Sequence, residues 1–308
     1  MTNVDATNAL QRTLKVMGCT AHLVVHGGNE AMLDEGERRL RELESWWSRF
    51  LATSDITRAN EQPGVPVEVQ PDTLAVVARA VDGWKQTDGR FDITVLPALV
   101  HEGYSRSVVT RDLAPVVPAT RIGTSGWIVV DYGASTLTVP PGSAIDLGGI
   151  GKGFAADVVA EDLLEMGASG VVVNVGGDLR VGGSPSADAS WHLGIENPLD
   201  PPHHIAFLRV GQGGIATSGT TIRRWKRSDG TTAHHLIDPT TGRTSTTHVL
   251  TATVIASDAA TAEVFATSVM LMDPRAGVAM LERVGLAGLI VTTDGAVHRT
   301  STLGAFEL

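Results

Sequence analysis

The chain has 308 residues, 43% of them hydrophobic and 19% charged. That is enough apolar material for a sizeable core and too balanced a composition for wholesale disorder. Twenty-four Lys and Arg stand against 34 Asp and Glu, a formal charge of −10, which excludes a general nucleic-acid binder because such a protein needs a basic face. A nucleotide ligand stays compatible with this balance, since a metal ion can bring positive charge locally.

Met1 to Lys15 is polar and has no apolar run of signal-peptide length. No stretch reaches the roughly 20 apolar residues of a membrane span, and the single Cys19 cannot form an internal disulfide. The expectation is a soluble, cytoplasmic chain. The Val-rich alternation of Thr20 to His26 predicts a strand, turned by Gly27-Gly28-Asn29. Leu33, Leu40, Leu43 and Trp47 stand near helical spacing and predict a helix over Glu30 to Phe50. Ser54-Asp55 reads as a cap or turn. Pro71 opens a second helix reaching Gln86, with Leu74, Val77, Val81 and Trp84 along one side. Val129 to Val139 reads as a hairpin turning at Gly133-Ala134-Ser135, Phe154 to Met166 as a helix, and Gly170 to Val175 as a buried strand running into a glycine turn. Strands are expected at Trp191 to Ile195, Ile205 to Val210, Leu250 to Ala256 and Ala287 to Thr292. Helices are expected at Ala259 to Met272 and Gly277 to Val284. Helices and strands alternate too irregularly for a parallel sheet. The expected fold is α+β, with mixed β-sheets and packed helices, in one domain over 1–308.

Four segments could carry chemistry. The first is Ile145-Asp-Leu-Gly-Gly-Ile-Gly-Lys-Gly-Phe154-Ala-Ala-Asp157. Its glycines let a ligand lie against bare backbone, the helix that follows offers unpaired N–H groups to an anion, and Lys152 adds charge. An ordinary glycine-rich turn would give the same pattern. It is not a P-loop, since no Ser or Thr follows Lys152. The second runs from Thr217-Ser-Gly219 to His234-His235-Leu-Ile-Asp238-Pro. Here His235 is a candidate general base, or a residue that with Asp238 simply stabilises a turn. The third is the pair Glu263 and Thr267, which share one helix face at i and i+4 and present a carboxylate and a hydroxyl suited to a hard cation. The fourth is Thr87-Asp-Gly-Arg90-Phe91-Asp92-Ile-Thr94, a tight loop that can face a ligand or merely connect two elements. His203-His204 reads as solvated, and His22 and His26 alternate along a strand and would need a third ligand to bind metal.

Taken together, these segments resemble the ApbE family of FAD:protein FMN transferases. The resemblance runs in order from Met17-Gly18 to about Gly295. It rests on Val16-Met17-Gly-Cys-Thr20, which is similar to the family's opening Met-Gly-Thr strand, and on Ser48-Arg-Phe50 with Ser54-Asp-Ile-Thr-Arg-Ala-Asn60, Thr87-Asp-Gly-x-Phe-Asp92-x-Thr94, Asp146-Leu-Gly-Gly-Ile-Gly-Lys-Gly153, Asn174-x-Gly-Gly-Asp178, Thr217-Ser-Gly219 and His235-x-Ile-Asp-Pro239-x-x-Gly242.

The resemblance implies transfer of FMN from FAD, with Mg²⁺, onto a Thr or Ser hydroxyl of an acceptor protein. Met17 and Phe50 would flank the adenine or flavin end. Arg90, Phe91 and Asp92 would lie beside the dinucleotide. Gly148, Lys152 and Phe154 would contact it at the glycine turn, and Ile237 would touch the flavin. Gly151 (through its carbonyl), Glu263 and Thr267 would hold the metal, and His235 would be the catalytic group. Two departures stand out. Ala262-Glu-Val-Phe-Ala-Thr267 carries Glu where the family usually has Asp, and Thr220-Thr221 replaces the more frequent Asp or Asn and Tyr. They leave two alternatives: an FAD-binding protein without transferase activity, or a metal-dependent FAD pyrophosphatase giving FMN and AMP.

Overall fold

The structure, a computed structural model, describes residues 9–106, 114–115, 118–184, 190–227 and 230–308. Part of the polar stretch Met1 to Lys15, residues 1–8, lies outside the described residues. The chain forms two compact units. One is drawn from Met1–Arg41, Lys152–Gly219 and Thr247–Leu308, the other from Glu42–Gly151 and Thr220–Thr246.

The elements in chain order are β1 (Ala9–Val16), β2 (Cys19–His26), α1 (Glu30–Trp47), α2 (Asp55–Glu61), β3 (Val67–Glu68), α3 (Pro71–Gln86), α4 (Leu96–His101), β4 (Val129–Asp131), β5 (Thr136–Thr138), α5 (Gly151–Glu165), β6 (Gly170–Val175), β7 (Asp178–Gly183), β8 (Trp191–Glu196), β9 (His204–Val210) and β10 (Gly213–Gly219). They continue with β11 (Arg224–Lys226), β12 (Thr232–His234), β13 (Ile237–Asp238), β14 (Arg243–Thr244), β15 (Val249–Ala256), α6 (Ala259–Val269), α7 (Pro274–Arg283), β16 (Ala287–Thr292) and β17 (Val297–Arg299).

The first unit is built on an eight-stranded sheet in the order β1-β2-β6-β7-β10-β15-β16-β17. Every neighbouring pair in it is antiparallel. One face carries the β8–β9 hairpin, whose Trp191, Leu193, Leu208 and Val210 pack with Val24, Val172, Val181, Ile215, Ile255 and Leu289 of the sheet. Helix α6 packs along β10 and β15, and α7 along β16. Leu23, Val159 and Leu163 crowd the place where α1 has Gly36 rather than a larger residue.

Two Asp side chains fix the start of α6. Asp258 caps it by accepting from Thr261 N at 2.8 Å. Asp157 of α5 accepts from Ala259 N and Ala260 N at 2.8 and 2.9 Å. Three of the N–H groups that a helix start leaves without intrahelical partners are satisfied in this way.

The second unit holds α2, α3, α4, the three-stranded sheet β3-β5-β4 and two small hairpins, β11–β12 and β13–β14. Ser54 is the N-cap of α2, accepting from Thr57 N, as the sequence implied.

The α+β expectation holds, while the sheets, expected as mixed, pair antiparallel between all the named strands. Strands β6 and β16, the β4–β5 hairpin and α3 lie where the sequence pattern put them. Four differences have local causes. Met17-Gly18 is the turn between β1 and β2, with Met17 at φ 51°, rather than part of a strand. β1 itself was hidden in the polar stretch, because only Leu14 and Val16 of its residues are buried. Helix α5 starts at Gly151, three residues before the apolar pattern begins. Helix α7 starts at Pro274 behind the capping Asp273, again three residues early.

Candidate active site

The glycine-rich segment runs directly into α5, so Lys152 and Gly153, which belong to the first unit, lie in the helix's first turn. The β6–β7 connection turns at Gly176 and Gly177, both at positive φ (66° and 102°), which side chains other than glycine rarely adopt. That turn delivers Asp178, 1% exposed, to the ammonium of Lys152, with which it pairs. From α6, Glu263 reaches the same ammonium at 2.6 Å through Oε1 and accepts from Gly153 N at 2.8 Å through Oε2. One N–H at the start of α5 is thus taken by a carboxylate of the protein itself, the favoured occupant of a helix N-terminus. Burial and the neighbouring Asp178 carboxylate raise the Glu263 carboxyl above its ordinary range, against the opposing pull of Lys152 and Gly153 N–H. One turn along α6 from Glu263, the Thr267 hydroxyl is 3.3 Å from that of Ser218 on β10.

Glu263, Asp178, Thr267 and Ser218 present only hard oxygen donors, and with both carboxylates ionised Glu263, Asp178 and Lys152 together sum to −1. This chemistry fits a hard cation. The fit depends on Lys152 yielding part of its hold on Glu263. Among the described residues no cluster of three or more His, Cys, Asp and Glu has the arrangement of a metal site. His22 and His26 therefore have no third ligand there; His26 is buried edge-on against the Trp191 ring.

Asp157, which anchors α6, has its carboxyl pushed up to about 6 by burial, against the lowering effect of the Ala259 and Ala260 N–H groups.

In the second unit Arg49, 6% exposed, pairs with Asp146 at 2.6 Å and donates to Tyr104 O at 2.8 Å. Its guanidinium lies 4.2 Å from the centroid of the half-buried Phe50 ring and 4.9 Å from that of Tyr104. Tyr104 stacks on Trp225 with centroids 5.2 Å apart. Asp146 also accepts from Gly148 N at 2.6 Å and so shapes the start of the glycine turn.

Asp92 Oδ1 accepts from Thr94 N at 2.6 Å and Ser125 Oγ at 2.9 Å. Its Oδ2 is buried with no hydrogen-bond partner among the described residues. Burial raises this carboxyl despite the hydrogen bonds that lower it. An orphaned buried oxygen is the kind of group a ligand completes.

His235 is half-buried in the link between β12 and β13, its backbone N–H donating to Arg223 O at 3.3 Å. The adjacent His234 is held structurally: its Nε2 is 3.0 Å from Ser245 O, and burial lowers its pKa.

The ApbE family model matches residues 17–290. The chain belongs to the ApbE family. An FAD:protein FMN transferase of Vibrio cholerae serotype O1 is 30% identical, the match covering 87% of this chain and 81% of the relative. One of Haemophilus influenzae is 27% identical over 96% of this chain and 90% of the relative. Among solved structures, the ApbE protein of Thermotoga maritima superposes with a TM-score of 0.86 at 26% identity, covering 98% of this chain and all of its own. The flavin transferase ApbE of Vibrio cholerae gives 0.79 at 29% identity, covering 97% and 99%.

Of the residues the family resemblance singled out, Lys152 and Glu263 are in direct contact, and Thr267 lies one turn away on α6. Gly148, Gly151 and Phe154 lie along the turn and the first residues of α5. Phe91 and Ile237 are only 3% and 4% exposed; Ile237 packs with Ala98 and Leu99. Arg90 is half-buried with its N–H on Thr87 O.

Asp178, Asp157 and Asp146 lie within the sequence motifs, but the motifs by themselves assign them no role. Each is an acidic residue beside a glycine turn or an apolar helix face, and a carboxylate buried there needs a cation or N–H groups. That signal was present in the sequence. Glu102 had none.

Proposed function

We propose that this protein is an FAD:protein FMN transferase, moving FMN from FAD onto a Thr or Ser hydroxyl of an acceptor protein and releasing AMP. The observation that carries this reading is the bonded meeting of Lys152 and Gly153 with Glu263, 111 and 110 residues away, in a family whose curated relatives are named for that activity. A diphosphate in an acidic protein needs local positive charge, and Lys152 supplies one such group.

In this reading the acceptor hydroxyl attacks the phosphorus of the FMN moiety. A new phosphorus–oxygen bond forms, and the bond to the AMP oxygen breaks and gives its electron pair to AMP. His235 takes the hydroxyl proton. Positioning and charge stabilisation provide most of the acceleration in such transfers. Gly151 (carbonyl), Glu263 and Thr267 would hold Mg²⁺, which when bound neutralises phosphate charge and polarises the phosphoryl oxygens. Met17, Phe50, Arg90, Asp92, Gly148 and Phe154 are the proposed contacts to FAD; Phe91 and Ile237, being buried, would shape the site more than line it.

The family match runs through segments of both units, which supports treating 1–308 as one functional domain. Among the described residues no helix is long and apolar enough to cross a membrane. The lone Cys19 is in keeping with a cytoplasmic location.

The test is mass spectrometry after incubation with FAD, Mg²⁺ and a fragment of a flavin-carrying protein. A mass gain of one FMN on a Thr or Ser, abolished by chelator, is expected. FAD split to FMN and AMP without an adduct, on two different fragments, would replace the transferase by a hydrolase. Intact bound FAD would leave a flavin-binding protein.

A further inference from the structure

The two hairpins that flank His235 converge on one buried carboxylate. Glu102 follows α4 and is 2% exposed. Its Oε2 accepts from Arg227 Nη2 and, at 3.0 Å, from Thr244 Oγ1. Its Oε1 accepts from Arg243 Nη1 at 3.1 Å. Its backbone carbonyl accepts from Trp225 Nε1 at 2.7 Å.

Trp225 lies in β11 and Arg227 directly follows it, while Arg243 and Thr244 form β14. The same residue therefore grips the first strand of one hairpin and the second strand of the other. His235 and Leu236 are all that join the remaining strands, β12 and β13. Around that link the chain is closed further by His234 Nε2 at 3.0 Å from Ser245 O and by Ser245 N donating to Leu236 O at 2.9 Å.

Each hairpin is only two or three residues per strand, too short to hold itself in water. A buried ion pair is a costly way to add stability, since well-packed apolar residues do as well, but it fixes direction and register. Here two guanidinium groups and a hydroxyl converge on one carboxylate, and the part of the chain they fix is the part that carries His235.

We propose that Glu102 is a positioning residue for FMN transfer, holding the His235 imidazole in place by pinning both hairpins that flank it. The inference rests on His235 being the proton acceptor.

The experiment compares wild type, Glu102→Gln, His235→Ala and the double variant in single-turnover FMN transfer, and follows amide hydrogen exchange over 223–245. Expected in Glu102→Gln are a loss of protection confined to that segment and a kcat about 10–100-fold lower, with KM for FAD changed less than about threefold. In the His235→Ala background the same change should cost no more than about twofold, because a residue acting through His235 has nothing left to act on. Arg243→Gln, which removes one exposed donor (its side chain is 65% exposed) and leaves the buried carboxylate paired to Arg227, should show a milder loss in the same direction.

Additive losses in the double variant, or unchanged protection with unchanged kcat, would overturn the proposal. A wild-type protein that transfers no FMN would instead remove the transferase reading. The exchange measurement would then decide the clamp on its own: protection lost over 223–245 keeps it, and protection retained ends it.

Discussion

Replacing Gly153 by Ala should damage the protein twice, in stability and in turnover. A Cβ on Gly153 would lie 2.6 Å from the carbonyl carbon of Ala259 and 2.9 Å from Ala260 N. Ordinary carbon contacts are about 3.5–4.0 Å, so backbone, not a movable side-chain tip, must give way by about 1 Å. The start of α6 is held against α5 by the bonds from Asp157 to Ala259 N and Ala260 N, and by Glu263 on Gly153 N.

Overpacking of this kind costs about 1–3 kcal/mol, and loss of one charge-assisted hydrogen bond about 1.5–3 kcal/mol. The better helix propensity of Ala returns about 1 kcal/mol. The net expectation is a loss of about 1.5–5 kcal/mol in urea unfolding. The displaced carboxylate of Glu263 should also lower FMN transfer by about 100-fold, the usual cost of a 1 Å misplacement at a reacting centre. A variant within about 0.5 kcal/mol of wild type and within twofold in transfer, outcomes typical of an uninvolved site, would refute the claim that close approach of α5 and α6 builds the site.

Thr267→Ala should lower Mg²⁺-dependent transfer at least about tenfold while FAD affinity, measured by flavin fluorescence, changes little; equal activity would take Thr267 out of the site. Lys152→Met leaves Asp178 and Glu263 buried without their cation, a loss of about 3–5 kcal/mol, and Mg²⁺ should raise its melting temperature more than that of wild type. No such difference would mean that the acidic pair does not bind the ion.

Asp157 has its folded pKa raised from 3.8 to about 6. The native state therefore binds more protons than the unfolded chain between those values, and stability falls as pH rises through that window, by at most about 3 kcal/mol. Asp157→Asn should flatten that slope in urea titrations run from pH 4 to 7, whereas an unchanged slope would exclude Asp157 as its source. Glu102 has the opposite sign. Burial opposes ionisation there, but Arg227, Arg243 and Thr244 take its pKa from 4.5 down to about 2. Its stabilisation, about 3 kcal/mol at most, is complete above pH 4.5 and lost as pH falls toward 2. Glu102→Gln should unfold with less acid dependence over that range, and an acid limb identical to wild type would contradict the assignment.

Local pattern was enough for the elements whose burial repeats regularly. Helix α3 has Pro at its start and one apolar side, and β6 and β16 are short apolar runs ended by turns, so their propensity and their packing agree. The glycine turn entering α5 and the order of the motifs were legible for the same reason: a close backbone approach requires glycine whatever lies far away.

Strands β7 and β10, reading Asp-Leu-Arg-Val-Gly-Gly and Gly-Gly-Ile-Ala-Thr-Ser-Gly, have little strand propensity of their own. They are extended because β6 and β15 supply ladders beside them. The candidate site divides in the same way. Residue types and spacing marked Lys152, Glu263, Thr267 and His235. That Lys152 pairs with Asp178 as well as Glu263, that Gly153 donates to that glutamate, and that Glu102 grips both hairpins beside His235 depend on partners 26 to 142 residues apart. A sequence pattern reports only which face of an element is apolar; which charges meet once those faces are buried is decided by the tertiary fold, because a buried charge is stable only beside the partner that packing brings to it.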